Sequence, residues 1–285
     1  MAATALPDAR PNEGPQAALR FARAPDGRSY IARQRVGYPF HITRPFHFDE
    51  VPAGALTLYL QSVSGGIYQG EDLRMTCSAA AGSAAHVTTQ AATIVHRMPA
   101  APARQTVALE AEDGALLEYL PDPLIMFPGA RLTSVLEIEA SADATVIASE
   151  SFAHHDPGGE DRRFESFEAA LRISDERGRL LVLERYALAG DRLAEGAGEI
   201  ARWPAQGSFV VAHRGPACEP ILAELRAALA PTDSFYGGAS ALPNAAGVGV
   251  RLLARDGARL RSGLEAAWRA VRLALYGAAP ARRRK

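Results

Sequence analysis

The sequence predicts a mainly β protein with a helical C-terminus, and three observations predict it. Short apolar or alternating stretches recur along most of the chain. Turn signals interrupt them often. No long helical pattern separates one stretch from the next, which argues against a βαβ sheet.

Taken in order, strands are expected at 29–36, 55–61, 72–77, 85–89, 93–97, 105–109, 116–119, 131–138, 145–149, 164–173, 179–186 and 208–212, with one more at 248–253. The stretch 131–138 shows why. Leu132, Ser134, Leu136 and Ile138 share one pleat phase, while Thr133, Val135, Glu137 and Glu139 share the other. Breaks fall at Gly65-Gly66, Asp113-Gly114, Pro121-Asp122-Pro123, Pro128-Gly129, Pro157-Gly158-Gly159 and Arg177-Gly178. Asp113-Gly114 between apolar runs reads as a hairpin or a rung corner. A first helix is expected over 219–230, where Ile221, Leu222, Leu225 and Leu229 recur at helical spacing; Pro220 suits its first turn and Pro231 stops it. A second is expected over 258–276, with a stripe of Leu260, Leu264, Trp268, Val271 and Leu275 and a terminal Gly277. Residues 1–27 are rich in Pro, Ala and Gly and read as a disordered leader; 28–277 reads as one domain and 278–285 as a basic tail.

Composition excludes several chemistries. Among 31 basic residues the only lysine is Lys285, so a P-loop, a kinase lysine and a pyridoxal Schiff base all lack their residue. Cys77 and Cys218 lie far apart, with no zinc or iron–sulfur spacing, and read as reduced thiols. The N-terminus lacks an apolar signal region, and the uncharged run over 79–96 is too polar to span a bilayer. A soluble, cytoplasmic protein is expected. From Arg251 onward ten basic residues face two acidic ones, which leaves 21 against 30 in the rest. An acidic body with a basic end suits charge-steered protein docking. Nucleic-acid binding is not expected, because no aromatic-interleaved basic strand accompanies that end.

Several constellations invite chemistry. The loop Ser64-Gly65-Gly66-Ile67-Tyr68-Gln69-Gly70 lacks the dinucleotide spacing and leads into a strand, so no helix N-terminus meets a phosphate. Glu71 and Asp72 at its exit offer oxygen ligands to a cation, or are simply solvated. His86, His96, His154, His155 and His213 show no H-E-x-x-H spacing. The best local metal candidate is His154-His155-Asp156, which can converge on one ion only from a loop. No G-x-S-x-G elbow and no activated cysteine exist. The run Thr88-Thr89-Gln90-Ala91-Ala92-Thr93 is small, polar and uncharged, which suits a strand corner or the lining of a narrow wet passage.

Three segments resemble the urease accessory family UreD, also called UreH. Gly65-Gly66-Ile67-Tyr68-Gln69-Gly70-Glu71-Asp72-Leu73 resembles its GG-x-x-x-GD-x-L segment, with Glu71 inserted before Asp72. Val87 to Arg97 is similar to TTQAATKVYR, with Ile94 for lysine and His96 for tyrosine. Leu117-Glu118-Tyr119-Leu120-Pro121, continued to Phe127 and Gly129-Ala130-Arg131, resembles LEWLPQETIxFxGAR. Weaker echoes are Leu183-Glu184-Arg185 and Gly238-Ala239-Ser240-Ala241-Leu242-Pro243, and the likeness runs from about Tyr30 to Gly277. The end departs, with Arg282-Arg283-Arg284-Lys285 where the family often has R-x-W-x-T.

The resemblance implies a helicoidal, β-helix-like body of stacked strands with two C-terminal helices. It implies a scaffold rather than an enzyme, binding apo-urease and a UreF-like partner that recruits the UreG-like GTPase. No tightly bound cofactor is implied, only transient passage of Ni²⁺ through an internal tunnel. Oxygen ligands suit such a passage better than a closed His/Cys cage, which would trap the ion. The candidates are Glu71, Asp72, Thr88, Thr89, Glu150 and Glu184; Arg185 or Arg131 could instead neutralise Glu184. Arg269 and Arg272 on the last helix are the partner-binding candidates. The competing reading is a metal-dependent hydrolase or isomerase using His154, His155 and Asp156. A β-solenoid adhesin is disfavoured by the missing signal segment and the lack of a regular repeat.

Overall fold

A computed structural model describes residues 14–192, 203–230 and 232–283. The chain alternates between two sheets. The first has the order β14-β13-β11-β8-β5-β1-β2, and the second β16-β17-β15-β12-β9-β6-β4-β3. The repeating unit comprises β4 (Leu56–Ser62), β5 (Asp72–Ala79), β6 (Ala84–Thr89), β8 (Ala103–Ala111), β9 (Leu116–Tyr119), β11 (Arg131–Ala140), β12 (Thr145–His154) and β13 (Ser166–Asp175). Parallel neighbours must be joined by a crossover. Here the crossover is a strand of the opposite sheet, so β5, β8, β11 and β13 stack in parallel on one side while β4, β6, β9 and β12 stack on the other. The product is the expected mainly β body of stacked strands, with two helices near its end.

The corners stack as well. Gly82 N donates to Asp113 O at 2.9 Å, Leu116 N to Ser83 O at 2.9 Å, and Thr145 N to Ala115 O at 2.8 Å. Asp113-Gly114 is therefore a rung corner rather than a hairpin, and Gly114 supplies the left-handed φ of 65° that the corner needs.

Antiparallel strands finish the ends. β1 (Ala17–Arg23) pairs antiparallel with β2 (Ser29–Val36) and parallel with β5. This revises the expected leader. Residues 1–13 lie outside the described set, but 17–23 form a strand whose Ala17, Leu19 and Phe21 are buried. That period-two pattern was overridden by the surrounding Pro and Gly. β3 (Phe40–Ile42) borders β4; β14 (Leu180–Ala189) borders β13; β15 (Ala205–His213), β16 (Phe235–Ala241) and β17 (Gly247–Ala254) extend the second sheet. The short strands β7 (Ile94–Val95) and β10 (Leu124–Met126) pair with each other.

Helix α1 (Cys218–Ala228) buries Ile221, Leu222 and Leu225. Helix α2 (Gly257–Tyr276) is capped by Asp256, whose side chain accepts from Arg259 N, and ends at Gly277 in the left-handed region. Its buried Leu260, Leu264, Trp268 and Val271 pack with β15 and β17. The helices thus cover the outer face of the second sheet. That is why β6, β9 and β12 are buried on both faces, whereas β5 alternates strictly.

Candidate functional site

One cavity adjoins two others in this frame. The first, of about 240 Å³, lies between the sheets and is walled by Thr89, Asp122, Ser134, Ser149, Glu150 and apolar neighbours. The second, also about 240 Å³, has Glu184, Tyr186, Ser208 and Arg251 in its wall. The third, about 300 Å³, lies under α2 and includes His86, Thr88 and Trp268. Glu150 and Leu136 belong to both the first and the second. Ser149, Pro121 and Asp122 belong to both the first and the third.

The strand pleat produces this arrangement. Successive side chains on β6 point to opposite sides, so Thr89 enters the first cavity and Thr88 the third. Both hydroxyls also pin the loop after β9: Thr88 Oγ1 donates to Leu120 O at 2.6 Å, and Thr89 Oγ1 accepts from Asp122 N at 2.8 Å. On β12, Ser149 and Glu150 are consecutive and stand at the two junctions.

Glu150 sits deep among protein atoms, and burial pushes its carboxyl up to about 7 against the opposing pull of a Ser134 hydrogen bond and the Arg251 charge. Burial, with the neighbouring Glu150 charge contributing, likewise raises the Tyr119 and Tyr186 phenols. Ser151 Oγ nearby is buried with no hydrogen-bond partner among the described residues. The two junctions therefore present hydroxyls and the carboxyl side chains of Asp122 and Glu150, of which Glu150 titrates near neutrality. Such a set can hold a hydrated divalent ion weakly and release it.

The other expected site residues separate. Glu184 lies in the wall of the second cavity, but its partner is Arg251 rather than Arg185 or Arg131; Arg131 pairs with Glu165 at 3.3 Å. Glu71 and Asp72 line none of the three cavities. Glu71 Oε2 accepts from Tyr68 N at 2.8 Å and closes the glycine loop, while Asp72 pairs with Arg74 at 3.3 Å. The pleat explains the miss: Leu73 faces inward, so its neighbour Asp72 faces away. The loop contributes backbone instead. Gly66 has a φ of 149°, and a Cβ there would stand 2.5 Å from Ile94 O.

The hydrolase arrangement does not assemble. His154 Nδ1 lies 3.2 Å from Met126 O. The Asp156 carboxylate is committed to the Arg162 side chain and to the Gly158, Glu160 and Arg162 amides, and these hold its pKa well below the ordinary range. Among the described residues no group of three His, Cys, Asp or Glu side chains could hold a metal. Cys77 and Cys218 are free, and burial pushes the Cys77 thiol up to about 12, which makes it inert.

Arg272 also requires correction. Arg269 is exposed, as a docking residue must be, but the Arg272 side chain is 1% exposed. Its Nε donates to Glu118 Oε1 at 2.8 Å, its Nη1 to Val51 O at 3.1 Å, and its Nη2 lies 3.7 Å from Asp49. Helical spacing places it on the border of the apolar stripe, and a buried carboxylate draws it in. Glu118 is completed by Trp268 Nε1 at 2.8 Å and His86 Nδ1 at 2.9 Å. Burial works to raise this carboxyl, but Arg272, His86 and Trp268 outweigh it and hold the group at about 2. Burial keeps His86 neutral by lowering its pKa, and its ring stacks on Trp268 at 4.7 Å. Sequence reasoning missed this cluster, although Glu118 in Leu116-Leu117-Glu118-Tyr119 carries the same signal that marked Glu150, an acid within an apolar strand.

No helix among the described residues is long and apolar enough to cross a membrane. A family profile described as UreD urease accessory protein matches residues 13–285. The chain is 40% identical over 268 residues to Urease accessory protein UreD 1 of Pseudomonas syringae pv. syringae strain B728a, covering 94% of each chain. It is 44% identical over 271 residues to Urease accessory protein UreD 1 of Methylorubrum extorquens strain PA1, covering 95% of this chain and 91% of that one. A Bradyrhizobium relative of strain BTAi1, also named Urease accessory protein UreD 1, is 40% identical over 270 residues, covering 95% of this chain and 94% of its own. The chain belongs to the UreD urease accessory protein family.

Proposed function

We propose that this protein is a non-catalytic scaffold of urease maturation that binds apo-urease and the UreF-like and UreG-like accessory proteins in the cytoplasm, and that it passes Ni²⁺ toward the urease active site through its linked cavities. The observation that carries the passage is the pair of junctions at Ser149 and Glu150, where polar groups stand in the walls that the first cavity shares with the other two. Oxygen donors spread along this line favour brief, weak coordination over capture. GTP chemistry falls to a partner, since this chain lacks a P-loop lysine.

The test is reconstitution. The tagged chain is expressed with its UreF-like, UreG-like and urease partners, the complex is weighed, and urease is assayed after Ni²⁺ and GTP are added. A stable complex whose activation disappears when this chain is omitted supports the scaffold. Failure to associate with any partner contradicts it.

A further inference from the structure

The segment after α2 contributes to the wall of the third cavity. Gly277 turns the chain back, and residues 278–283 run without regular secondary structure over the loop that carries Phe48 and Asp49. The Asp49 side chain is 1% exposed and accepts from Ala281 N and from Arg283 Nη2, each at 2.7 Å. The Arg283 guanidinium lies 4.8 Å from the Trp268 ring centre and 5.9 Å from that of Phe48. Arg282 and Arg283 are part of the cavity wall that also contains Thr88, Asp122 and Ser149.

Charge gives this contact a consequence. Asp49 and Glu118 supply two negative charges, Arg272 and Arg283 two positive ones, and His86 is neutral. With Arg283 docked the cluster balances. With Arg283 removed it carries one net negative charge beside Thr88 and Asp122. Asp49 is not stranded by that departure, because Arg272 Nη2 remains 3.7 Å away. The strap itself offers only Ala278, Ala279, Pro280 and Ala281 as apolar anchors, so its hold rests on the Asp49 contacts of Ala281 and Arg283 and on the Arg283 stacking, and a competing acid that takes Arg283 releases it. Arg261 and Arg282 in the same wall are exposed against a single exposed acid, Glu265, which leaves this end net basic toward solvent.

We propose that residues 278–283 are a strap that shuts this end of the cavity in the free chain, and that an acidic protein surface docking here opens it by drawing Arg283 away from Asp49. Docked, the guanidinium repels a divalent cation; released, it leaves a mouth that attracts one. The purpose of the device rests on the passage proposed above, but its existence is testable without urease.

The experiment uses the isolated full chain with Ni²⁺ alone as the probe, comparing the native protein, Arg283→Ala, Arg283→Lys and Arg33→Ala. Ni²⁺ binding is read by calorimetry, and hydrogen exchange is read at the Ala281 amide. Arg283→Ala is expected to bind Ni²⁺ roughly tenfold tighter and to lose protection at Ala281. Arg283→Lys keeps the charge and should stay near native affinity. Arg33→Ala loses an equal charge from an exposed position on β2, a strand that lines none of the three cavities, and should change neither reading. Equal Ni²⁺ affinity in the native and Arg283→Ala proteins overturns the gate, even if Ala281 exchanges faster. An unprotected Ala281 amide in the native protein overturns the strap itself. If both readings change as expected while urease activation proves independent of Glu150, the passage fails and the strap stands.

Discussion

Glu118 and Glu150 lie on the neighbouring strands β9 and β12, each an acid within an apolar run, yet they have opposite electrostatic fates. Glu118 faces α2 and is enclosed by Arg272, His86 and Trp268, which hold it ionised at about 2. Glu150 faces the cavities, and burial pushes it up to about 7, while the nearby cation Arg251 is engaged by Glu184. The first is a fastener that ties the last helix to the sheet. The second is a partly compensated ligand at a junction. Both are acids in largely apolar strands, although serines flank Glu150, and what separates structure from function is which face of the strand the residue occupies and what covers that face.

The largest effect that would break this contrast comes from Glu118→Ala. It takes away the close carboxylate partner of buried Arg272, leaving as its acidic partner only Asp49, 3.7 Å away and shared with Arg283, and should destabilise the fold by about 3–5 kcal/mol in urea unfolding. A loss below 1 kcal/mol would show that Glu118 is no fastener. Glu150→Gln should act the other way. A carboxyl raised from 4.5 to about 7 costs nothing below pH 4.5, where both folded and unfolded states are protonated, and its full penalty is reached above pH 7. The variant should therefore gain about 1–3 kcal/mol at pH 8 and almost nothing at pH 4. A gain that is the same at both pH values would contradict the assignment.

The pH profile sharpens the comparison further. His86 is held neutral, so its contribution is present above its usual value of 6.5 and is lost as pH falls below it. Glu118 has a lowered pKa, so its contribution is present above 4.5 and drains away as pH falls toward 2. Acid unfolding, followed by the fluorescence of Trp268 beside this pair, should begin below pH 6.5 and steepen below 4.5. The smallest effect is expected at the surface. Arg269→Glu should change stability by less than about 0.5 kcal/mol, so weakened partner capture in a pull-down would report docking alone. Unchanged capture would remove Arg269 from the interface.

Much of the fold was legible because the pleat leaves a period-two trace, as in Leu132 to Glu139, and because Asp113-Gly114 and Gly277 mark places where the backbone must turn. Strand β1 was hidden by neighbouring Pro and Gly, since its burial depends on pairing with β5, more than fifty residues away. The site was legible only in part. Thr88, Thr89, Glu150 and Glu184 line the cavities, but Glu71 and Asp72 carry equally suitable oxygens and point elsewhere. Type and spacing reveal which residues could bind a cation. Only the register of the sheets decides which ones share a cavity. Asp49 shows the same limit, since its partners Arg272 and Arg283 lie more than two hundred residues away.

The most direct measurement is nickel-dependent urease activation by the reconstituted complex carrying Glu150→Gln, with its mass determined in the same preparation. The account predicts an intact complex whose activation is reduced several-fold at limiting Ni²⁺ and recovers in part as Ni²⁺ is raised. An intact complex that activates urease at the native rate at limiting Ni²⁺ would contradict the passage at its central junction.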